Sequence, residues 1–150
     1  MSRIHINLSV NHLEESIRFY TMLFNTEPTK QKADYAKWQL DNPAVNFAIV
    51  PVKPNEKPAI LHLGVEADTK DELTSFFGRL ENMNGEQLDE GDTICCYAQS
   101  TKKWINDPQG IAWEIFHTYG NSETFSGEKA TACCEKEETT LAPCCSEGGN

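Results

Sequence analysis

Two stretches of the chain, 57 residues apart, carry one pattern. Ile4-His5-Ile6-Asn7-Leu8-Ser9-Val10 alternates and is rich in β-branched residues, which predicts a strand with Ile4, Ile6 and Leu8 on one face and His5 and Asn7 on the other. A capping-box pair, Asn11 and Glu14, then introduces Leu13, Ile17, Tyr20 and Phe24 at helical spacing, up to the break at Asn25-Thr26-Glu27-Pro28. Ile60-Leu61-His62-Leu63-Gly64-Val65 repeats the His-bearing strand, Thr69 and Glu72 repeat the capping box, and Leu73, Phe76, Phe77 and Leu80 repeat the amphipathic helix. A chain that repeats a unit too small to close its own core must pair the copies, so the duplication restricts the fold more than any composition value does.

The segments after each helix complete the unit. Tyr35 to Leu40 and Ala44 to Val50 read as strands around the turn Asp41-Asn42-Pro43, with a shorter strand before Ala33-Asp34. Pro51 to Pro58, with three prolines, reads as a linker. Beyond the second helix, Asn84-Gly85 is a turn, and strands cover Gln87 to Gly91, Thr93 to Ala98 and Ile111 to His117. Asp107-Pro108-Gln109-Gly110 leads into the last of these. The expected fold is therefore α+β: two βαβββ modules, about 1–58 and 59–120, whose sheets line a shared metal-containing cleft while the helices cover the outside. Residues 121–150 differ in composition, with Phe125 and Leu141 their only large apolar side chains. Such a segment cannot offset its ordering entropy, so it reads as a flexible acidic tail.

Charge and cysteine usage exclude several classes. The 150 residues carry 13 Lys+Arg against 23 Asp+Glu, a net charge of −10, which argues against nucleic acid or an anionic membrane as partner. No apolar run approaches a membrane span and the first residues lack a signal-peptide core, so a reducing cytoplasm is expected. The six cysteines stand as three adjacent pairs, Cys95-Cys96, Cys133-Cys134 and Cys144-Cys145. A disulfide framework spaces its cysteines through the loops that it staples, whereas paired thiols in a reducing compartment suit soft metals or metalloids.

His5 and His62 occupy equivalent places in the two repeats, and Glu114 interrupts the apolar run Ile111-Ala112-Trp113-Glu114-Ile115-Phe116. A buried carboxylate needs a partner. Two imidazoles and one carboxylate make a facial triad suited to non-haem Fe(II) and oxygen, although Ni, Co, Mn or Zn accept the same donors. Aligning Val45 to Val50 with Ile111 to Phe116 puts Ala48 opposite Glu114, so a fourth protein ligand is missing. The alternative makes Glu114 a buried ion-pair member, though no basic residue stands out in the neighbouring strands as read here.

Over residues 1 to about 120 the chain resembles the vicinal oxygen chelate, or glyoxalase/bleomycin-resistance/dioxygenase, superfamily. Within it, Ile94-Cys95-Cys96-Tyr97-Ala98, Lys103-Trp104-Ile105-Asn106-Asp107-Pro108 and Ala112-Trp113-Glu114-Ile115-Phe116-His117 look like the carbon-arsenic lyases and the related cadmium-induced proteins. The resemblance implies Fe(II) at His5, His62 and Glu114, O2 as co-substrate, and a trivalent organoarsenical, methylarsenite or an aromatic As(III) compound, on Cys95 and Cys96. It is also compatible with a homodimer. Trivalent arsenic bearing one organic group has two positions left for thiolates. Because neighbouring strand residues point to opposite faces, both sulfurs meet one arsenic only at a bulge or strand end, and such an irregularity is expected at Cys95-Cys96.

Gln99 to Asp107 reads as a polar loop, either a solvated connection or a lid that brings Lys102 and Lys103 to the substrate. Tyr97, Trp104, Phe47 and Trp113 could shape an organic pocket or belong to the core, with Trp113 placed in the core by alternation. His12 reads as a first-turn surface residue and His117 as a secondary candidate. Two other functions stay open: thiol-based cadmium or arsenic sequestration, motivated by the tail cysteine pairs, and a glyoxalase or thiol-transferase activity.

Overall fold

The computed structural model describes residues 1–83 and 85–126. The turn residue Asn84 and the cysteines at 133, 134, 144 and 145 lie outside the described residues. The elements run β1 (Arg3–Val10), α1 (Leu13–Phe24), β2 (Lys30–Lys32), β3 (Tyr35–Asp41), β4 (Ala44–Pro51), β5 (Ile60–Glu66), α2 (Lys70–Leu80), β6 (Gln87–Cys95), β7 (Ala98–Asn106) and β8 (Ala112–Asn121). The βαβββ order occurs twice, as the duplication requires. Contacts group these elements into two compact units, Met1–Glu66 and a second that begins at Ala67.

In the first unit the strands lie in the order β2-β3-β4-β1-β5. β1 runs parallel to β4 and antiparallel to β5, with an irregularity between Asn7 and Leu8. The first strand of the second repeat is thus built into the first unit. One face of the sheet packs on α1: Ile17, Ala36, Trp38, Val45, Phe47 and Ile49 are buried, and Leu13, Tyr20 and Phe24 close around them. Trp38 is fully buried, and its indole N–H donates to the Thr26 carbonyl at 3.1 Å. The opposite face carries His5, Asn7, Ser9, Asn46, His62 and Glu66, all buried and all polar. A sheet face that buries six polar side chains costs stability, which argues for a site rather than a packing surface.

Helix α1 departs from the expected cap. It begins at Leu13, with His12 in the capping position (φ −130°, ψ 97°) and no side-chain cap bond. Asn11 therefore lies one residue outside the helix, and Glu14 falls at its second position, too early for the reciprocal bond of a capping box. The helix ends at Asn25 in the left-handed conformation (φ 52°), a place that asparagine tolerates.

In the second unit β8, β7 and β6 form an antiparallel meander. The cap of α2 matches expectation on one side: the Glu72 N–H donates to Thr69 Oγ1 at 3.2 Å. The returning bond goes one residue further, from the Asp68 N–H to Glu72 Oε2 at 2.9 Å. Asp107 closes the β7–β8 turn, accepting from the Gln109 and Ile111 amides at 2.8 and 2.9 Å.

Three expectations need correction here. Gln99 to Asp107 is no loop: β7 occupies Ala98–Asn106, paired on both sides. Its inward positions include Ser100 and Lys102, both buried, so the apolar face by which a strand is recognised is absent. Thr93 to Ala98 is not one strand either, because β6 ends at Cys95 and the chain reverses over Cys96 and Tyr97. Trp113, placed in the core by alternation, is only half-buried, whereas Trp104 is buried.

Candidate active site

The first unit holds a pair of imidazoles. β1 and β5 bring the two His-bearing segments side by side, with His5 opposite Gly64 and Asn7 opposite His62. His5 and His62 are 6% and 5% exposed, and their Nε2 atoms face each other at 3.1 Å. His5 Nδ1 lies 3.1 Å from the Asn46 carbonyl. A carbonyl only accepts, so this nitrogen carries the proton and His5 Nε2 keeps its lone pair. Two nitrogens at right angles on a metal about 2.1 Å from each would stand about 3.0 Å apart, so the pair already has the spacing of neighbouring ligands.

Residues that sequence reasoning missed support this pair. Asn46 sits beside His5 in register on β4, and its side-chain amide donates to Glu66 Oε2 at 3.1 Å. Gln39 donates to the same oxygen at 2.5 Å. Asn7 Oδ1 is buried with no hydrogen-bond partner among the described residues. The available signal was Asn46 inside the apolar run from Val45 to Val50, together with Asn7 two residues beyond His5 on the same face.

The second unit holds the thiols and the carboxylate. Cys95 is the last residue of β6, and Cys96 and Tyr97 make a two-residue reversal with φ of 55° and 61°. Positive φ at both positions is the geometry of a type I′ hairpin, which usually takes Asn-Gly, so the sequence carried no turn signal. Two non-glycine residues there cost of order 1–3 kcal/mol each and persist where the surroundings hold them. Residues after β8 do so: the Cys96 amide donates to the Phe125 carbonyl at 2.6 Å, the Ser122 amide to the Tyr97 carbonyl at 3.0 Å, and Phe125 meets the Tyr97 ring edge-on. Cys95 also bridges Ser126. The reversal turns both side chains together, with Sγ atoms 3.1 Å apart. That exceeds a disulfide bond of about 2.05 Å, so the two cysteines are not joined to each other, and the spacing suits two thiols sharing one soft atom. The expected irregularity is present, as a strand end.

Glu114 on β8 is 4% exposed, and the Lys102 ammonium donates to its Oε1 at 2.5 Å. The basic partner that no reading of the neighbouring strands supplied thus comes from the segment read as a loop. Lys102 and Lys103 are not a lid pair: Lys103 turns to the other face of β7, where it meets Asp89 at 3.0 Å and lies over the Phe77 ring. His117 Nδ1 is bonded to the Ala67 carbonyl at 2.9 Å, a structural role. Of the candidates in this unit, the structure brings Lys102 to Glu114 and Cys95 to Cys96.

A model of the Glyoxalase/Bleomycin resistance protein/Dioxygenase superfamily matches residues 3–115. The chain belongs to this superfamily. Within it, the chain belongs with the organoarsenical-cleaving and cadmium-induced proteins. It is 39% identical to the trivalent organoarsenical cleaving enzyme of Bacillus sp. strain MD1 over 147 residues, covering 97% of this chain and 91% of the relative. It is 33% identical to the cadmium-induced protein CadI of Mycobacterium tuberculosis over 144 residues, 90% of this chain and 94% of the relative. Among solved structures, the Mn(II)-bound glyoxalase of Novosphingobium aromaticivorans shares the fold, with a TM-score of 0.58 at 14% identity over 85% of this chain and 44% of that one. The superfamily fold, read as α+β with paired βαβββ modules, is thereby established.

Proposed function

We propose that this protein is a carbon-arsenic lyase that uses a divalent metal, Fe(II), and O2 to release arsenite from trivalent organoarsenicals. The observation that carries the reading is the strained Cys96-Tyr97 reversal, which sets the Cys95 and Cys96 sulfurs 3.1 Å apart without a disulfide in a chain whose curated relative is named for organoarsenical cleavage. A substrate RAs(OH)2 would condense with both thiols, forming two As–S bonds and releasing two waters. One organic group then remains on arsenic. Methylarsenite and aromatic As(III) compounds both satisfy this chemistry.

His5, His62 and Glu114 are the proposed metal ligands. Supporting this are the ligand-like spacing of the two Nε2 atoms, the Asn46 carbonyl that orients His5, and a buried carboxylate at the position where the first repeat has Ala48. Fe(II) at such a site would supply the means to activate O2. The chain's own residues bind and orient: the thiols fix arsenic, the histidines present lone pairs, and Trp104, which shares the Glu114 face of the sheet, and the Tyr97 ring are candidates to meet the organic group. Lys102 is proposed to act through Glu114. Thiol chemistry of this kind suits a reducing cytoplasm. Among the described residues no helix is long and apolar enough to cross a membrane.

The test is aerobic incubation of purified protein with Fe(II), a reductant and methylarsenite, followed by arsenic speciation. Arsenite release that disappears in Cys95→Ser and His62→Ala supports the reading, and no release from fully metal-reconstituted protein would sink it. A second reading, stoichiometric thiol sequestration, draws on the cadmium-induced relative and on the cysteine pairs beyond Cys95-Cys96. Binding without turnover would favour it.

A further inference from the structure

Strand β6 contains one extra residue at the level of Lys102. Asp89 pairs with Lys103 and Gly91 pairs with Lys102, so Glu90 is inserted between them. Gly91, at φ 60°, makes the kink, and its amide closes it by donating to Asp89 Oδ1 at 2.9 Å. A bulge of this kind sets two residues opposite one and re-aims a side chain. Here Asp89 goes to Lys103 on one face, while Glu90 is left opposite Lys102, on the face that carries Glu114. Glu90 is half-buried; burial pushes its carboxyl up, and Lys102 pulls in the opposite direction. Lys102 is 3% exposed and holds Glu114. The face therefore carries one buried ammonium and two carboxylates.

This arrangement has a consequence for metal binding, given the reading above in which Glu114 is a ligand. A carboxylate that gives its charge to a divalent cation no longer neutralises the ammonium beside it. Lys102 is then a buried cation next to a dication, and a side chain so enclosed has no solvent to turn to. We propose that Glu90 is a positioning residue that takes over Lys102 when Glu114 coordinates metal, so that Lys102 exchanges one carboxylate for the other. In the metal-free protein Lys102 keeps Glu114 paired; in the metal-bound protein Glu90 keeps Lys102 paired.

Affinity for Co(II), measured anaerobically by calorimetry and by the cobalt absorption spectrum on the full-length metal-free protein, tests the exchange. Glu90→Gln is expected to weaken Co(II) binding by about 10- to 100-fold, the usual effect of losing a residue that supports a ligand. Adding Lys102→Met to Glu90→Gln removes the stranded cation and is expected to restore most of that loss. The metal-free melting temperature of Glu90→Gln should not fall below wild type, because Lys102 still has Glu114. A general structural role would instead lower melting and leave the double variant no better than the single. Wild-type affinity in Glu90→Gln, or failure of Lys102→Met to rescue, overturns the exchange while leaving the metal site intact. Unchanged Co(II) binding in Glu114→Gln overturns the metal reading and the exchange together.

Discussion

Lys102 shows how one residue sets the electrostatics of its surroundings. Its ammonium lies against Glu114 where both side chains are about 95% buried. Removing one member of such a pair leaves an unpaired buried charge, at a cost of about 3–5 kcal/mol. Lys102→Met is accordingly expected to lower the metal-free melting temperature, and Lys102→Met combined with Glu114→Leu to recover much of the loss; differential scanning calorimetry checks both. Glu90 adds a pH signature. Its carboxyl titrates above the ordinary value of 4.5 in the folded protein, so the folded state binds the proton more tightly than the unfolded chain does. The associated stability is present below pH about 4.5 and is lost as pH rises through the folded value. Wild type is thus expected to lose stability relative to Glu90→Gln as pH rises from 4.5 towards neutrality, read by urea denaturation of metal-free protein at several pH values.

Among the elements, the β6–β7 hairpin and α1 give the clearest tests. The thiol reversal is strapped by Phe125, whose edge-on contact with Tyr97 is worth about 0.5–1.5 kcal/mol. Phe125→Ala is expected to weaken binding of a trivalent arsenical severalfold, in titrations with phenylarsine oxide, while melting falls by only a few degrees. At the start of α1, the extended conformation of His12 is that of a capping residue without a capping side chain. His12→Ser is expected to stabilise the protein by about 1 kcal/mol, and Asn11→Ala to change it little, by chemical denaturation. Periodicity located this helix correctly, because Leu13, Ile17, Tyr20 and Phe24 make one apolar stripe. Its first residue escaped detection because a capping motif shifted by one position looks the same in a sequence.

On the scale of the molecule, the chain is two compact units, and the proposed chemistry assigns Cys95 and Cys96 of the second unit to the substrate, leaving four further cysteines in the sequence after Ser126. Ending the chain at Ser126 is expected to preserve arsenite release while lowering the number of thiols that react with arsenite from six to two. A truncated protein without turnover would instead tie the activity to the last two cysteine pairs. The duplication, the α+β class, the two histidines, Glu114 and the vicinal thiols were all legible in the sequence. Each is a local pattern or a repeat of one at a fixed offset, and period-2 and period-3.6 alternation report on which side a residue faces. The tertiary structure alone decided that Lys102 belongs to a strand and pairs with Glu114, that Cys96 and Tyr97 reverse the chain, and that Asn46 and Glu66 stand behind His5. Those facts depend on residues far apart in the chain, where a buried polar group finds its partner. Alternation carries no record of partners, only of faces.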